Sequence, residues 1–436
     1  YQSPHVGLIA RLIDHDCEPS MHGPGIAAEH RRSARRGWSV VAGAFGVMFA
    51  AFGCTYCFST FFTPLQDAFD ASRAALSWIF SIAVFIYFLL GAVSGPLADR
   101  VGPRGMTLAG LVIIGAGLIV ASQAEALWQV YLGYGVGVGI GVGFAYVPAI
   151  GAVQRWFVRR RGFASGVAVS GIGFGTLVMP KVAEWLINGV GWRGAFIALG
   201  AFAIVGGGLA ALFVDGSPQR HGLLPDGGVA MDAVPCPALE GMSLRETLRT
   251  RAFRLLFAAC FFISIGLFIP FVHLVPYAQD QGIPYATAVT LFTLVGVGST
   301  LGRFCLGGIA DRLGRRRSLG GMYFGVAVMM GLWYTADEVW EVAAFALIYG
   351  TFYGGFVALA PALLVDYFGP RNASGIIGMA YTGVAVGSLI GPTFAGYAFD
   401  HTQSYAPAIA ASAIFSLIAA ALVWMAPEPT ATQRTA

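Results

Sequence analysis

The sequence predicts an all-α membrane protein whose twelve transmembrane helices form two pseudo-symmetric six-helix halves. Three observations predict it. Hydrophobic residues make up 57% of the 436 residues and charged residues only 11%, with a mean hydropathy of +0.71; a soluble domain carries about 25% charged residues. Apolar runs of the roughly 20 residues needed to cross a bilayer core occur twelve times along the chain. One polar motif, GPLADRVGPRG at 95–105, returns as GGIADRLGRRR at 307–317.

The chain opens with a polar, basic segment, 1–37, that ends in HRRSARR and has no apolar leader of its own. No cleavable signal peptide is expected, and the first span serves as the insertion signal. Spans are expected at about 39–63, 75–98, 106–123, 127–153, 163–187 and 195–214, which make an N-terminal half over 38–214. Those at about 253–278, 286–309, 318–335, 340–365, 374–398 and 405–426 make a C-terminal half over 253–426. Between the halves lies a linker, 215–252, rich in Gly and Pro at its start and closing with SLRETLRTR. There Ser243 and Glu246 have the spacing of a capping box, which predicts a short basic amphipathic helix along the membrane surface. A polar tail, 427–436, follows the last span.

Twelve crossings put both termini on one side. All but four of the 26 Lys and Arg fall on that side; Arg73, Lys181 and Arg193 fall on the other, and Arg303 lies inside a span. The positive-inside rule then places both termini in the cytoplasm. The nine tryptophans lie at or near predicted span ends, as an aromatic belt requires. The expected location is the plasma (inner) membrane, with the lipid bilayer as the main surrounding partner and nucleic acid excluded.

No soluble catalytic domain fits the chain, and it shows no nucleophile–base pair or metal-ligand cluster. These observations speak against an enzyme, a metal site and a cofactor. Cys54 and Cys57 form a CxxC without a second pair nearby and read as two small, soft residues on one helix face. The glycine run GVGVGIGVG (135–143) falls inside a span, where a nucleotide loop has no place. It reads as a close-packing helix face, as do GVAVSGIGFG (166–175) and GVAVGSLIGP (383–392).

The repeated motif sets the architecture. Asp99 and Asp311 are 212 positions apart, and Pro180 and Pro392 keep the same offset. Two parallel six-span halves, with a copy of Gly-x-x-Ala-Asp-Arg-x-Gly-x-Arg after the second and eighth spans, resemble the major facilitator superfamily. That resemblance implies a substrate site near the midplane between the halves. It also implies conformational latches at Asp99, Arg100 and Arg104 and at Asp311, Arg312 and Arg315, where a carboxylate at a helix end meets a neighbouring helix N-terminus. A plain polar turn that only enforces topology is the alternative.

Two stretches narrow the resemblance. WFVRRRGFASGVAVSGIGFG (156–175), with GWRGAF (191–196), is similar to the segments entering the fifth and sixth helices of the monocarboxylate transporter family. FIPFVHLVPYAQDQGI (268–283) is similar to the seventh helix of its bacterial members. In that family an arginine on the eighth helix pairs with the substrate carboxylate, and Arg303 stands at that position. A mid-span arginine costs about 2.5–3.5 kcal/mol on insertion scales, a cost tolerable beside a wet cavity. Its guanidinium can take a carboxylate with two parallel hydrogen bonds. Snorkelling to the interface or pairing with a structural carboxylate is the competing role.

The chain also departs from the family. Thr60 occupies the position of a first-helix lysine, and Ser299 that of an aspartate one turn before the arginine. Both belong to the proton coupling of animal members, and neither hydroxyl titrates near neutral pH. His273 is then the one side chain in a span whose ordinary titration range lies near neutral pH, a candidate proton site or outer gate, or simply a hydrogen-bonded histidine. The related oxalate/formate antiporters carry a lysine on the eleventh helix; GIIGMAYTGVAVGSLIGP has none. Lys181 lies near the outer end of its span, with Glu184 one turn on, and reads as an interfacial pair. One buried cation suits one carboxylate. Tyr56, Tyr146 and Tyr381, with Thr60 and Ser299, are candidates to line its path.

The expected function is therefore secondary active transport of a small monocarboxylate by alternating access, with protons as candidate coupling ions and one chain sufficient for a transport path. An oxalate/formate-type organic anion antiporter and a non-transporting membrane sensor are the alternatives.

Overall fold

The computed structural model describes residues 24–157, 161–221, 223, 241–369 and 372–427, and the statements below concern these. Ten stretches are long and apolar enough to cross a membrane. One of them, Gly162–Ala211, is 50 residues long and reverses at Gly191, whose φ of 74° only a glycine adopts without strain, so it crosses twice. The remaining crossing is Arg315–Tyr334, where three leading arginines and scattered glycines lower the hydropathy.

In chain order the twelve helices are α1 (Pro24–Tyr56, continued by Phe58–Phe69), α2 (Arg73–Val101), α3 (Pro103–Ser122), α4 (Leu127–Trp156), α5 and α6 (the run from Arg161 divided at Gly191), α7 (Arg251–Leu267, continued by Ile269–Asp280), α8 (Tyr285–Leu313), α9 (Arg315–Tyr334), α10 (Val339–Phe368), α11 (Ala373–Thr402) and α12 (Ala406–Met425). Two boundaries differ from the sequence reading. α1 begins at Pro24, inside the segment read as a polar, basic stretch before the first span, because alanines and arginines there are good helix formers. The loop expected between the fifth and sixth spans shrinks to one reversing glycine. The linker helix Leu244–Arg249 carries its capping box: Ser243 Oγ accepts from Glu246 N at 3.3 Å, and Glu246 Oε2 accepts from Ser243 N at 2.9 Å.

Across the halves, α2 packs on α11 and α5 on α8. The latter crossing depends on glycine. A Cβ on Gly296 would stand 2.7 Å from Leu177 Cα, and one on Gly173 would stand 3.0 Å from Arg303 Nη1. The glycine run in α4 packs against α2 and α3, through a π-helical segment at Tyr131–Val138.

The internal repeat is visible in the bonds. Arg104 Nε donates to Val214 O at 3.4 Å, and Arg316 Nη1 donates to Ala426 O at 2.6 Å; donors and acceptors are each 212 residues apart. Each bond ties the start of one helix to the end of the last helix of its half. α1 and α7 also break at equivalent places, Cys57 and Phe268. In α1 the Tyr134 hydroxyl of α4 donates to Cys54 O (3.0 Å) and Thr55 O (2.7 Å), competing for the carbonyls of the helical ladder. In α7 Tyr349 of α10 donates to Leu267 O, and Pro270 removes a donor just beyond.

Side-chain bonds joining the halves cluster between the midplane and the face away from the termini, called here the far face. Ser59 donates to Val272 O (3.0 Å), Thr63 Oγ1 to Gln279 Oε1 (2.6 Å), Tyr285 to Thr60 O (2.6 Å) and Lys181 Nζ to Ala286 O (3.0 Å).

Candidate functional site

Arg303 lies on α8 where that helix crosses α5, and it is 6% exposed. Its Nη1 donates to Ser299 Oγ at 2.6 Å and to Ser299 O at 3.1 Å, one turn back on the same helix. Its Nε and Nη2 are buried and have no hydrogen-bond partner among the described residues. These two nitrogens form one edge of the planar fork, and their N–H bonds point in parallel, the geometry that holds a carboxylate by two bonds. Burying polar hydrogens without acceptors is unfavourable, so an acceptor placed on this edge would be held strongly.

Tyr353 of α10, Tyr56 of α1 and Tyr146 of α4 stand within electrostatic reach of Arg303. Their hydroxyls are linked. Tyr56 Oη lies 2.9 Å from Tyr353 Oη and 3.1 Å from Tyr87 Oη of α2. Phe271 of α7 fits between them, its ring centroid 4.7 Å from Tyr56 and 4.9 Å from Tyr353. Tyr381 of α11 joins at the edge, against Phe88 and within electrostatic reach of Tyr146. Helices of both halves thus bring one guanidinium edge and a set of tyrosines together at the interface between the halves. Aromatic rings with polar tips make a wall that can accept an organic anion's apolar body and its oxygens together.

Of the residues singled out in the sequence, Arg303, Ser299, Tyr56 and Tyr146 come together, with Tyr381 beside them. Thr60 does not join them. It sits in the outer segment of α1, its hydroxyl buried without a partner and its carbonyl taken by Tyr285. His273 is also elsewhere, sealed in the far-face closure. Its Nε2 lies 2.9 Å from Pro392 O and 3.1 Å from Ser77 Oγ, and its Nδ1 3.0 Å from Tyr405 Oη. A carbonyl only accepts, so Nε2 carries the hydrogen and Nδ1 accepts from the Tyr405 hydroxyl. Ser77 belongs to α2 and the other partners to the C-terminal half, so His273 joins the two halves.

At the repeated motif, the side chains of Asp99 and Asp311 lie outside the described residues. Arg104 bonds Val214 O, and Arg315 pairs with Asp366 at 2.6 Å, each within its own half. Arg100 and Arg312 are exposed. Lys181 and Glu184 form the expected pair at 2.6 Å. Sequence reasoning missed Tyr87 and Tyr353. Each is one more aromatic in a run such as VFIYFLL or GTFYGGF, and only the fold selects them.

Comparison with known proteins agrees with this architecture. A family model described as Major Facilitator Superfamily matches residues 44–336 and 255–436. Monocarboxylate transporter 12-B of Danio rerio is 30% identical over 412 residues, covering 89% of this chain and 86% of that one. Monocarboxylate transporter 12 of Rattus norvegicus is 27% identical over 395 residues (85% and 81%), and monocarboxylate transporter 11 of Homo sapiens 28% identical over 386 (85% and 78%). Among solved structures, a bacterial homolog to the human lysosomal transporter Spinster, inward-facing and unoccupied, aligns with a TM-score of 0.68 at 16% identity, covering 90% of this chain and 97% of that one. At that identity the likeness concerns the fold. The chain is a multi-pass membrane transporter that belongs to the Major Facilitator Superfamily and is related within it to the monocarboxylate transporters.

Proposed function

We propose that this protein carries a small monocarboxylate across the plasma (inner) membrane by alternating access, with Arg303 as the carboxylate anchor. The observation that carries the reading is the open Nε/Nη2 edge of a buried arginine at the interface of the halves. Ser299 orients the guanidinium by holding Nη1. Tyr56, Tyr146 and Tyr353 offer hydroxyls to the second carboxylate oxygen or to a substituent, and Tyr381 extends the wall. With both termini in the cytoplasm, as the distribution of basic residues supports, the far face is external and its cross-half bonds describe an externally closed state. Asp99, Arg100 and Arg104, with Asp311, Arg312 and Arg315, would act as latches on the cytoplasmic side.

His273 is a gate in this reading. Both of its nitrogens are engaged while the far face is shut, and its imidazole bridges the halves. Proton symport would then need a carrier other than Ser299, Thr60 or His273, and exchange of one organic anion for another fits the site as well. A single chain contains the path.

The test is uptake into proteoliposomes of a panel of labelled monocarboxylates and oxalate, with and without an inward proton gradient and with and without internal anion. Saturable uptake of a monocarboxylate in preference to oxalate supports the reading. Stimulation by the gradient identifies symport, and stimulation by internal anion identifies exchange. Binding of the acids without flux would turn the protein into a sensor and overturn the proposal.

A further inference from the structure

The far face carries an ionic cluster that the transport site does not use. Arg73 is the first residue of α2. Its Nη1 and Nη2 donate to the two oxygens of Asp280, at the end of α7, at 2.6 and 2.7 Å. Nη1 also donates to Tyr405 Oη at 2.6 Å, and the guanidinium carbon stands 3.7 Å from the ring centroid of Phe399. A second carboxylate completes the cluster. Asp400 of α11 accepts from the backbone N–H groups of Arg73 and Ala74, both at 2.9 Å, one on each oxygen. These are orphan donors of a helix N-terminus, where negative charge is favoured. The next donor, Ala75 N, is taken by Ser72 Oγ at 3.2 Å. One half of the protein thus caps a helix of the other. Tyr405 passes the connection on to His273 and so to Ser77 of α2.

The repeat gives this cluster a counterpart. The residue 212 positions after Arg73 is Tyr285, the first residue of α8. Tyr285 also reaches across the halves, to Thr60 O, but through one neutral bond. These two equivalent helices, α2 and α8, thus each send their first side chain into the opposite half, and of the pair only α2 uses charge. Closure is ionic on the side of α2, α7, α11 and α12.

We propose that Arg73, with Asp280 and Asp400, is a positioning lock that holds the far face shut, breaks whenever the protein opens to that face, and sets how often it does so. The proposal rests on the alternating-access reading, and its test needs no substrate, so the two can fail separately. Ser59 is fully buried beneath the cluster, between α1 and α7. In a Ser59→Cys protein reconstituted in liposomes with the far face outward, the rate at which an impermeant maleimide modifies residue 59, read by peptide mass spectrometry, reports opening of that face.

Arg73→Ala should raise that rate at least tenfold. Arg73→Lys, which keeps the charge and loses the fork, should give an intermediate rise. Asp400→Ala should raise the rate through loss of the cap alone, with Arg73 and Asp280 both present. Equal rates in the parent, Arg73→Ala and Asp400→Ala proteins, all monodisperse, would overturn the lock. If Arg73→Ala does not fold, Arg73→Lys and Asp400→Ala decide: faster modification in both supports the lock, and parental rates in both overturn it.

Discussion

Replacing Arg303 by methionine removes a charge and two open donors while keeping most of the side-chain volume, so cavity effects stay small. The structure gives the magnitudes. Nη1 is already held by Ser299, and Nε and Nη2 are the free pair. A carboxylate on that edge makes two charge-assisted bonds of about 1.5–3 kcal/mol each. Losing both costs about 3–6 kcal/mol, roughly two to four orders of magnitude in affinity at about 1.4 kcal/mol per tenfold. Lysine keeps a point charge but not the fork, so its loss should be roughly one bond, 10- to 100-fold. Stability should move the other way. An unpaired buried arginine costs about 2.5–3.5 kcal/mol on insertion scales, so methionine should leave Tm unchanged or raise it. Calorimetric titration with the acid found in the uptake panel measures the first effect, and thermal unfolding in the same detergent measures the second. Parental affinity in Arg303→Met, or a Tm several degrees lower with affinity intact, would show that Arg303 is structural and refute the assignment.

Three further outcomes follow from the geometry. Gly296→Ala places a Cβ 2.7 Å from Leu177 Cα and forces α5 and α8 apart; it should cost about 1–3 kcal/mol, seen as a lower Tm, whereas Gly151→Ala, whose nearest neighbour is Arg155 Nη2 at 3.9 Å, should not. Tyr353→Phe removes the bond to Tyr56 and a hydroxyl offered to the substrate, at about 0.5–1.5 kcal/mol per neutral bond, so apparent affinity should fall by about tenfold; unchanged affinity would take Tyr353 out of the substrate's wall. His273→Gln keeps a group able to donate to Pro392 O and accept from Tyr405, so flux and any response to a proton gradient should persist. Loss of the gradient response with flux intact would make His273 a proton carrier rather than a gate.

Much of the fold could be read from the sequence because lipid imposes a simple rule, a long apolar run bounded by polar turns, and because the 212-residue offset repeats whole landmarks. Arg303 stood out for the same reason, as a charge where charge is costly. The break in α7 is visible beforehand in Pro270. The matching break in α1 is not, since its cause is a tyrosine hydroxyl 79 residues away that bonds Thr55 O. The far-face cluster is hidden likewise: Arg73 reads as a loop cation, and its partners lie 207 and 327 residues away. Tyr87 and Tyr353 have no local signature at all. Backbone pattern is a local property, whereas the lining of a path between two halves depends on tertiary placement.

The two broken helices also bear on the membrane around the protein. The segments beyond the breaks, Phe58–Phe69 and Ile269–Asp280, are 12 residues each and pack on one another. At about 1.5 Å per residue each spans about 18 Å, close to one leaflet of a hydrocarbon core about 30 Å thick. If these segments swing at their midplane breaks, the moving parts of the far face belong to a single monolayer. Protein encloses both segments, with residues 269–278 all buried, so the thickness of that monolayer acts on the closure through the helices packed around them. Asymmetric thinning of the far monolayer should therefore shift opening in a way that symmetric changes of the same average thickness do not.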